Sequence, residues 1–240
     1  MPTWKVIDIL DQAQAMGFNG RAAFHHYCEP LLDQRNLLFA KEAKERGMKP
    51  YLVTNGDRLH GDERLRQEVQ HLYERIVVGI YDYETNEKLE EAKQYWKRML
   101  PSADVDFSTI RLGGEGTVTS IGTPRALVPS DRRMAVPDLT YTNAPCHRPL
   151  VRMIIQYDGD VCNCCDDTFG AFQLGNVYQN TLAEIWFSRE HRQILDDLVS
   201  GRREKYELCR GCPQGPTGPA PEGKKIGISI RRYQGSGAPQ

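Results

Sequence analysis

Four cysteines, Cys146, Cys164, Cys209 and Cys212, constrain this chain more than any other feature. The first two are separated by 17 residues, the middle two by 44 and the last two by two, and six of the chain's seven cysteines lie between residues 146 and 212. A soft metal or an iron–sulfur cluster requires deprotonated sulfurs converging on one point, and Cys209-x-x-Cys212 supplies two of them with little loop entropy. The fold has to return the other two. Between Cys146 and Cys164 the apolar run Leu150 to Tyr157, the turn Asp158-Gly159-Asp160 and then Val161 predict a β-hairpin that brings these cysteines toward one another.

At 240 residues and 40% hydrophobic, the chain can bury one good-sized core, or a domain plus a smaller module. A net charge of −1 gives no reason to expect a nucleic-acid partner. No apolar run reaches transmembrane length, and Met1-Pro2-Thr3-Trp4 runs straight into an amphipathic pattern without a signal peptide, so a cytoplasmic protein with no membrane partner is expected. Seven clustered cysteines in that setting point to reduced thiols and metal binding rather than disulfides.

Apolar positions Val6, Ile9, Leu10, Ala13 and Met16 predict a helix over 4–16, stopped by Gly17. Arg21 to Phe24 reads as a short strand, followed by a polar loop from His25 to Pro30. Asp33 is placed to cap a helix running to about Arg46, and Tyr51-Leu52-Val53 is the next strand, ending in Thr54-Asn55-Gly56. The unit repeats with a helix over 62–72, a strand over 75–80, a helix over 85–99 carrying Leu89, Ala92, Trp96 and Met99 on one face, and a strand over 105–112. This alternation predicts right-handed βαβ units and a parallel sheet that collects ligands at the carboxyl ends of its strands. Residues 113–145 read as a linker or cover. Within 146–213, Thr181-x-x-Glu184 is a capping box and Ser188 caps a second helix ending at Gly201, while the Gly- and Pro-rich tail after Pro213 is expected to be disordered.

These residues resemble radical S-adenosylmethionine (radical SAM) proteins with a carboxy-terminal SPASM/twitch module. Cys28-Glu29-Pro30-Leu31-Leu32-Asp33 is similar to the family's G-G-E-P-L-L-D, and Thr54-Asn55-Gly56 follows one βα unit later. Gly159-x4-Cys164 after Cys146, and Leu174-Gly175-Asn176-Val177 leading to Leu182-Ala183-Glu184-Ile185-Trp186 before Cys209-x2-Cys212, carry the more specific half. The resemblance implies an α/β fold: a partial (β/α) barrel over 1–112, then, after the 113–145 segment, a small α+β iron–sulfur module over 146–213. It implies an auxiliary [4Fe–4S] cluster on Cys146, Cys164, Cys209 and Cys212, and a remnant S-adenosylmethionine pocket at Cys28, Glu29 and Pro30, weak without a catalytic cluster. It names no catalytic residue.

The chain departs from the family pattern in two places. The C-x3-C-x2-C motif that holds the catalytic cluster is absent, since Cys28 is the only cysteine before Cys146. The first strand and cluster loop are both absent, and two expectations stand: a fragment whose catalytic cluster comes from a missing amino-terminal segment or a partner chain, or a naturally degenerate relative. The further cysteines of a two-cluster module are also absent after Cys212, so the chain resembles the one-cluster type.

Other readings stay open on the residues alone. A four-cysteine set also suits structural zinc, although zinc ribbons usually bring two C-x-x-C knuckles. Within Cys162-Asn163-Cys164-Cys165 the family register selects Cys164; Cys165 would point the other way in an extended chain, and Cys162 would share the face of Cys164. The pair His25-His26 fits loop hydrogen bonding better than a metal site, and Arg111 fits either the sheet mouth or the surface. Function divides accordingly into a radical SAM oxidoreductase or maturase acting on a peptide or small molecule, and a non-catalytic iron–sulfur relay or recognition protein.

Overall fold

The strand–helix alternation produces a parallel sheet of β1 (Arg21–Ala22), β2 (Lys49–Thr54), β3 (Arg75–Tyr81) and β4 (Val105–Ile110), in that spatial order. Helix α1 (Thr3–Ala15) precedes β1, and α2 (Asn36–Glu45), α3 (Glu63–Leu72) and α4 (Asn86–Met99) fill the three crossovers. The computed structural model describes residues 1–25, 28–81, 83, 85–110, 143–165, 167, 170, 172–210 and 212. The expectations for Arg111, for the cover segment up to residue 142 and for the tail beyond Cys212 lie outside them.

The chain divides into two compact units, one made of Pro2–Leu10 and Asn19–Val128, the other of Met1, Asp11–Phe18 and Pro129–Gln240. In the sheet unit, Ile76, Val78 and Ile80 alternate along β3 and are buried with Leu52, Val69, Leu89 and Trp96 in one core. Burial of each such side chain is worth about 1.5–3 kcal/mol; Val77 and Gly79 on the other face of β3 are buried too, and the strand pairs in the register β2 Tyr51–Thr54 against β3 Arg75–Val78. Helix starts are fixed locally: Asp62 accepts from the Leu65 N–H, and Thr85 from that of Lys88.

Asp33 does not cap α2. Its carboxylate is taken by the Arg35 backbone N–H and guanidinium, at 2.6–3.2 Å, and α2 starts at Asn36 without a side-chain cap. The arginine two residues on competes successfully for the acceptor, and the Arg35 guanidinium holds the Asp33 carboxyl below the usual range. Residues Pro30–Leu32 instead form a 3₁₀ turn, capped by Glu29.

In the second unit, β5 (Ile154–Ile155), β6 (Asp160–Cys162) and β7 (Gln173–Asn176) form an antiparallel sheet in that order. The predicted hairpin is present, with Gly159 at φ 94° in its turn, where only glycine is unstrained. Its first arm is shorter than the apolar run suggested, because Arg148–Val151 forms a helical turn, α5, with Pro149 inside its first turn. Helices α6 (Leu182–Trp186), α7 (Arg189–Val199) and α8 (Glu207–Arg210) follow. The Thr181–Glu184 capping box is complete, and Ser188 accepts from the His191 N–H as the cap of α7. Gln12 Oε1, in the Asp11–Phe18 part of α1, accepts from the Leu182 N–H at 2.8 Å, so the same α6 start is also satisfied from 170 residues away. Among the described residues no helix is long and apolar enough to cross a membrane.

Candidate functional site

At the mouth of the parallel sheet, Glu29 is the junction between two successive strand ends. Its Oε1 accepts from the Thr54 hydroxyl at 2.6 Å and from the Leu31 N–H at 3.2 Å, and Oε2 accepts from the Asn55 N–H at 2.7 Å. Pro30, the next residue, is buried, whereas Cys28 is exposed. Thr54 Oγ1 in turn accepts from the Gly56 N–H at 3.0 Å, so the Thr54-Asn55-Gly56 turn read from the sequence is built around this carboxylate. Burial, and then the Glu29 charge, push the Tyr81 phenol up, which places Tyr81 within electrostatic reach of Glu29.

Beside it, the carboxyl ends of β2 and β3 open into a cleft of about 280 Å³ lined by Asn55, Asp57, His60, Tyr81 and Trp96. His60 Nδ1 bonds Tyr95 Oη at 2.9 Å, and its ring stacks on Tyr95 and tilts against Trp96. Sequence reading treated Trp96 as core alone and passed over His60 and Tyr95. The i, i+1 pair Tyr95-Trp96 on a helix facing a strand end was the signal available.

All seven cysteines are thiols. Cys146, Cys164, Cys209 and Cys212 are half-buried, and so is Cys165. Cys162 differs: it is 1% exposed in β6, its sulfur accepts from Gln156 Nε2 at 2.9 Å, and burial pushes its thiol up to about 11. That is the position of a packed side chain. Cys165 Sγ accepts from the Arg152 guanidinium at 3.7 Å. His25 lies against the Tyr51 ring, and His26 is outside the described residues.

The main chain ties the cysteine segments together. The Cys146 N–H donates to Leu198 O at 2.8 Å, the Cys209 N–H to Tyr206 O at 2.9 Å, and the Cys212 N–H to Cys209 O at 3.1 Å. Among the described residues no group of three or more His, Cys, Asp or Glu side chains converges closely enough to hold a metal ion. Thiol ligands need not converge before their metal arrives, because binding itself deprotonates them and supplies the free energy that gathers them. Two observations favour a fit to a sulfur-ligated group: the donors are thiols at accessible, half-buried positions, and the amide of Asn163, 3% exposed and next to Cys164, has neither of its polar atoms partnered among the described residues.

Residues 146–213 match SPASM, an iron–sulfur cluster-binding domain. Over 217 residues, 85% of this chain and 77% of the relative, the sequence is 23% identical to the S-adenosyl-L-methionine-dependent 2-deoxy-scyllo-inosamine dehydrogenase of Niallia circulans. The fold is similar to the crystal structure of BtrN in complex with AdoMet and 2-DOIA, with a TM-score of 0.66 and 21% identity over 89% of this chain and 80% of that one. It is also similar to native anSMEcpe with bound AdoMet and Kp18Cys peptide, with a TM-score of 0.54 and 12% identity over 90% and 81% of the two chains. The chain thus has a partial radical SAM fold, with parallel strands and helices, followed by an iron–sulfur SPASM domain.

Proposed function

We infer that this chain is an iron–sulfur protein of the radical SAM/SPASM type, acting in the oxidation of a small hydroxylated molecule, with Cys146, Cys164, Cys209 and Cys212 as the ligands of one [4Fe–4S] cluster. The observation that carries the reading is the SPASM match over 146–213, which contains all four cysteines. The substrate class follows the dehydrogenase relative, which aligns with most of both chains. When bound, such a cluster supplies one-electron transfer.

The chain's own residues do the rest. Glu29, held by Thr54 and Asn55, presents an anchored carboxylate at the sheet mouth, suited to an ammonium group such as that of S-adenosylmethionine. Tyr81, Asp57 and His60 line the adjoining cleft with one phenol, one carboxylate and one imidazole, groups that hydrogen-bond hydroxyls. The Cys209–Cys212 knuckle and the Cys146 segment provide sulfurs from backbone already fixed by hydrogen bonds.

A second reading is favoured by one sequence fact: only Cys28 precedes Cys146, so this chain does not itself hold a second cube. In that reading the chain is non-catalytic, and its module relays electrons or recognises a partner or substrate. Anaerobic reconstitution tests the main claim. The loaded protein should contain about four iron and four sulfide per chain, as one cubane ligated by four cysteines requires. Stoichiometric zinc with no iron after anaerobic handling would sink it.

A further inference from the structure

We propose that Asp197 is a positioning residue for the cysteine ligand set: one buried carboxylate near the end of α7 fixes the Cys209–Cys212 knuckle relative to the Cys146 segment before any cluster is present. The proposal rests on the reading of those cysteines as ligands, and assigns a role to a residue that touches none of them.

Asp197 is 2% exposed. Its Oδ1 accepts from Arg202 Nε at 2.7 Å and Lys205 Nζ at 2.9 Å, and its Oδ2 from the Tyr206 hydroxyl at 2.8 Å, while its main-chain carbonyl accepts from the Arg202 N–H at 2.8 Å. A buried carboxylate is tolerated only when so satisfied, and these donors, five, eight and nine residues downstream, fold 202–206 back over the helix end. The consequence falls on the knuckle. Tyr206 O accepts from the Cys209 N–H at 2.9 Å and the Arg210 N–H at 2.8 Å, so the placement of Tyr206 is the placement of Cys209.

The neighbouring residue holds the other side. Leu198 O accepts from the Cys146 N–H, and buried Arg203, on the segment that Asp197 folds back, donates from Nη2 to Pro145 O at 3.0 Å. Tyr206 also reaches the Cys164 arm: its ring stacks on Phe172 at 4.9 Å and 26°, and Phe172 O accepts from the Asn163 N–H at 3.2 Å. Two consecutive residues of α7 therefore position Cys146 and Cys209, and Tyr206 joins both to the segment after β6 that bears Cys164. Asparagine at 197 would keep the shape, and its N–H₂ could donate to the Tyr206 hydroxyl, but without the negative charge the charge-assisted bonds from Arg202 and Lys205 are weakened.

The test uses the full chain with Asp197→Asn, the milder Tyr206→Phe, which keeps the ring stack, and Thr181→Ala, which removes the α6 capping box as a control for general destabilisation. In the metal-free protein, amide hydrogen exchange at Cys209 and Arg210 should accelerate about tenfold in D197N, less in Y206F, and not in T181A, as loss of a charge-assisted bond predicts. In the reconstituted protein, iron release to a chelator should follow the same order. Unchanged exchange at Cys209 and Arg210 in D197N overturns the proposal whatever metal the protein holds. Equal acceleration in T181A does so too, since it would mean ordinary loss of stability. Uptake of zinc alone by wild type would instead overturn the cluster reading, and the exchange result would still decide the role of Asp197.

Discussion

Glu29 and Thr54, one at the start of a 3₁₀ turn and the other at the end of β2, are joined by a 2.6 Å hydrogen bond that closes the sheet mouth. Leu31, Thr54 and Asn55 all donate to this carboxylate, so the site needs an acceptor at both oxygens. Glu29→Gln should lower stability by about 1–3 kcal/mol, since one amide N–H₂ must face a donor, whereas Thr54→Val should lose about 1 kcal/mol by removing a single partner. Denaturant titration of the two variants checks the order. Weaker binding of S-adenosylmethionine in E29Q than in T54V, by calorimetry, would support the anchoring role.

Burial sets Cys162 apart from the four proposed ligands, and the register of the resembled family sets Cys164 apart from Cys165. Alanine at Cys146, Cys164, Cys209 or Cys212 should abolish iron retention after reconstitution, and Cys165→Ala should not. Cys162→Ala should retain iron but lower stability by about 1 kcal/mol, because it removes a packed sulfur from β6. Iron loss in C162A together with iron retention in C164A would reverse the assignment of Cys162 and Cys164.

Gly56 adopts φ 83°, and a Cβ there would run into the Trp96 ring at Cζ2 and Cη2. Gly56→Ala combines left-handed backbone strain with overpacking and should cost about 2–4 kcal/mol. The variant should also shift Trp96 fluorescence, since the ring has to move within the cleft. A thermal midpoint unchanged from wild type would show that the Thr54-Asn55-Gly56 turn is not held against α4.

His191 is 1% exposed, with Nδ1 2.8 Å from Trp186 O, and burial lowers its pKa while the Trp186 and Pro149 carbonyls partly oppose that shift. For a base whose folded pKa lies below its unfolded value of about 6.5, stability is full above that value and is lost as pH falls toward the folded pKa. Metal-free protein should therefore lose stability as pH drops below about 6.5, and His191→Gln should flatten that dependence while lowering stability at pH 8. Parallel pH profiles for the two proteins would remove His191 as the cause.

Reductive cleavage of S-adenosylmethionine in the resembled family needs a cluster with an open iron, and the proposed four thiolates at the SPASM site would leave none. Cluster-loaded and dithionite-reduced, this 240-residue chain should make no 5′-deoxyadenosine above background, and a cluster-binding segment added in cis or as a partner chain should switch the reaction on. Multiple turnovers from the chain alone, measured by chromatography, would show that the proposed ligand set is wrong.

The order of elements, and much of their chemistry, was legible in the amino-acid sequence. Apolar periodicity located all four βα strands and helices because it reports one-sided burial directly, and local caps such as Thr181–Glu184 and Ser188 could be read because both partners lie within three residues. The cysteine spacing, with the motifs around it, marked the segment that matches SPASM. Asp33 was misjudged because capping signals do not show that a neighbouring arginine will take the carboxylate. The first hairpin arm was overextended because apolar runs of this length suit strand and helix alike. What depends on separation along the chain emerged only in three dimensions: Glu29 meeting Thr54 25 residues later, Cys162 sinking into β6 while Cys164 and Cys165 remain half-buried, and Asp197 gathering three donors. Such contacts depend on chain closure and packing, which fix partners by spatial geometry, whereas periodicity and capping record only what a residue does with its nearest neighbours.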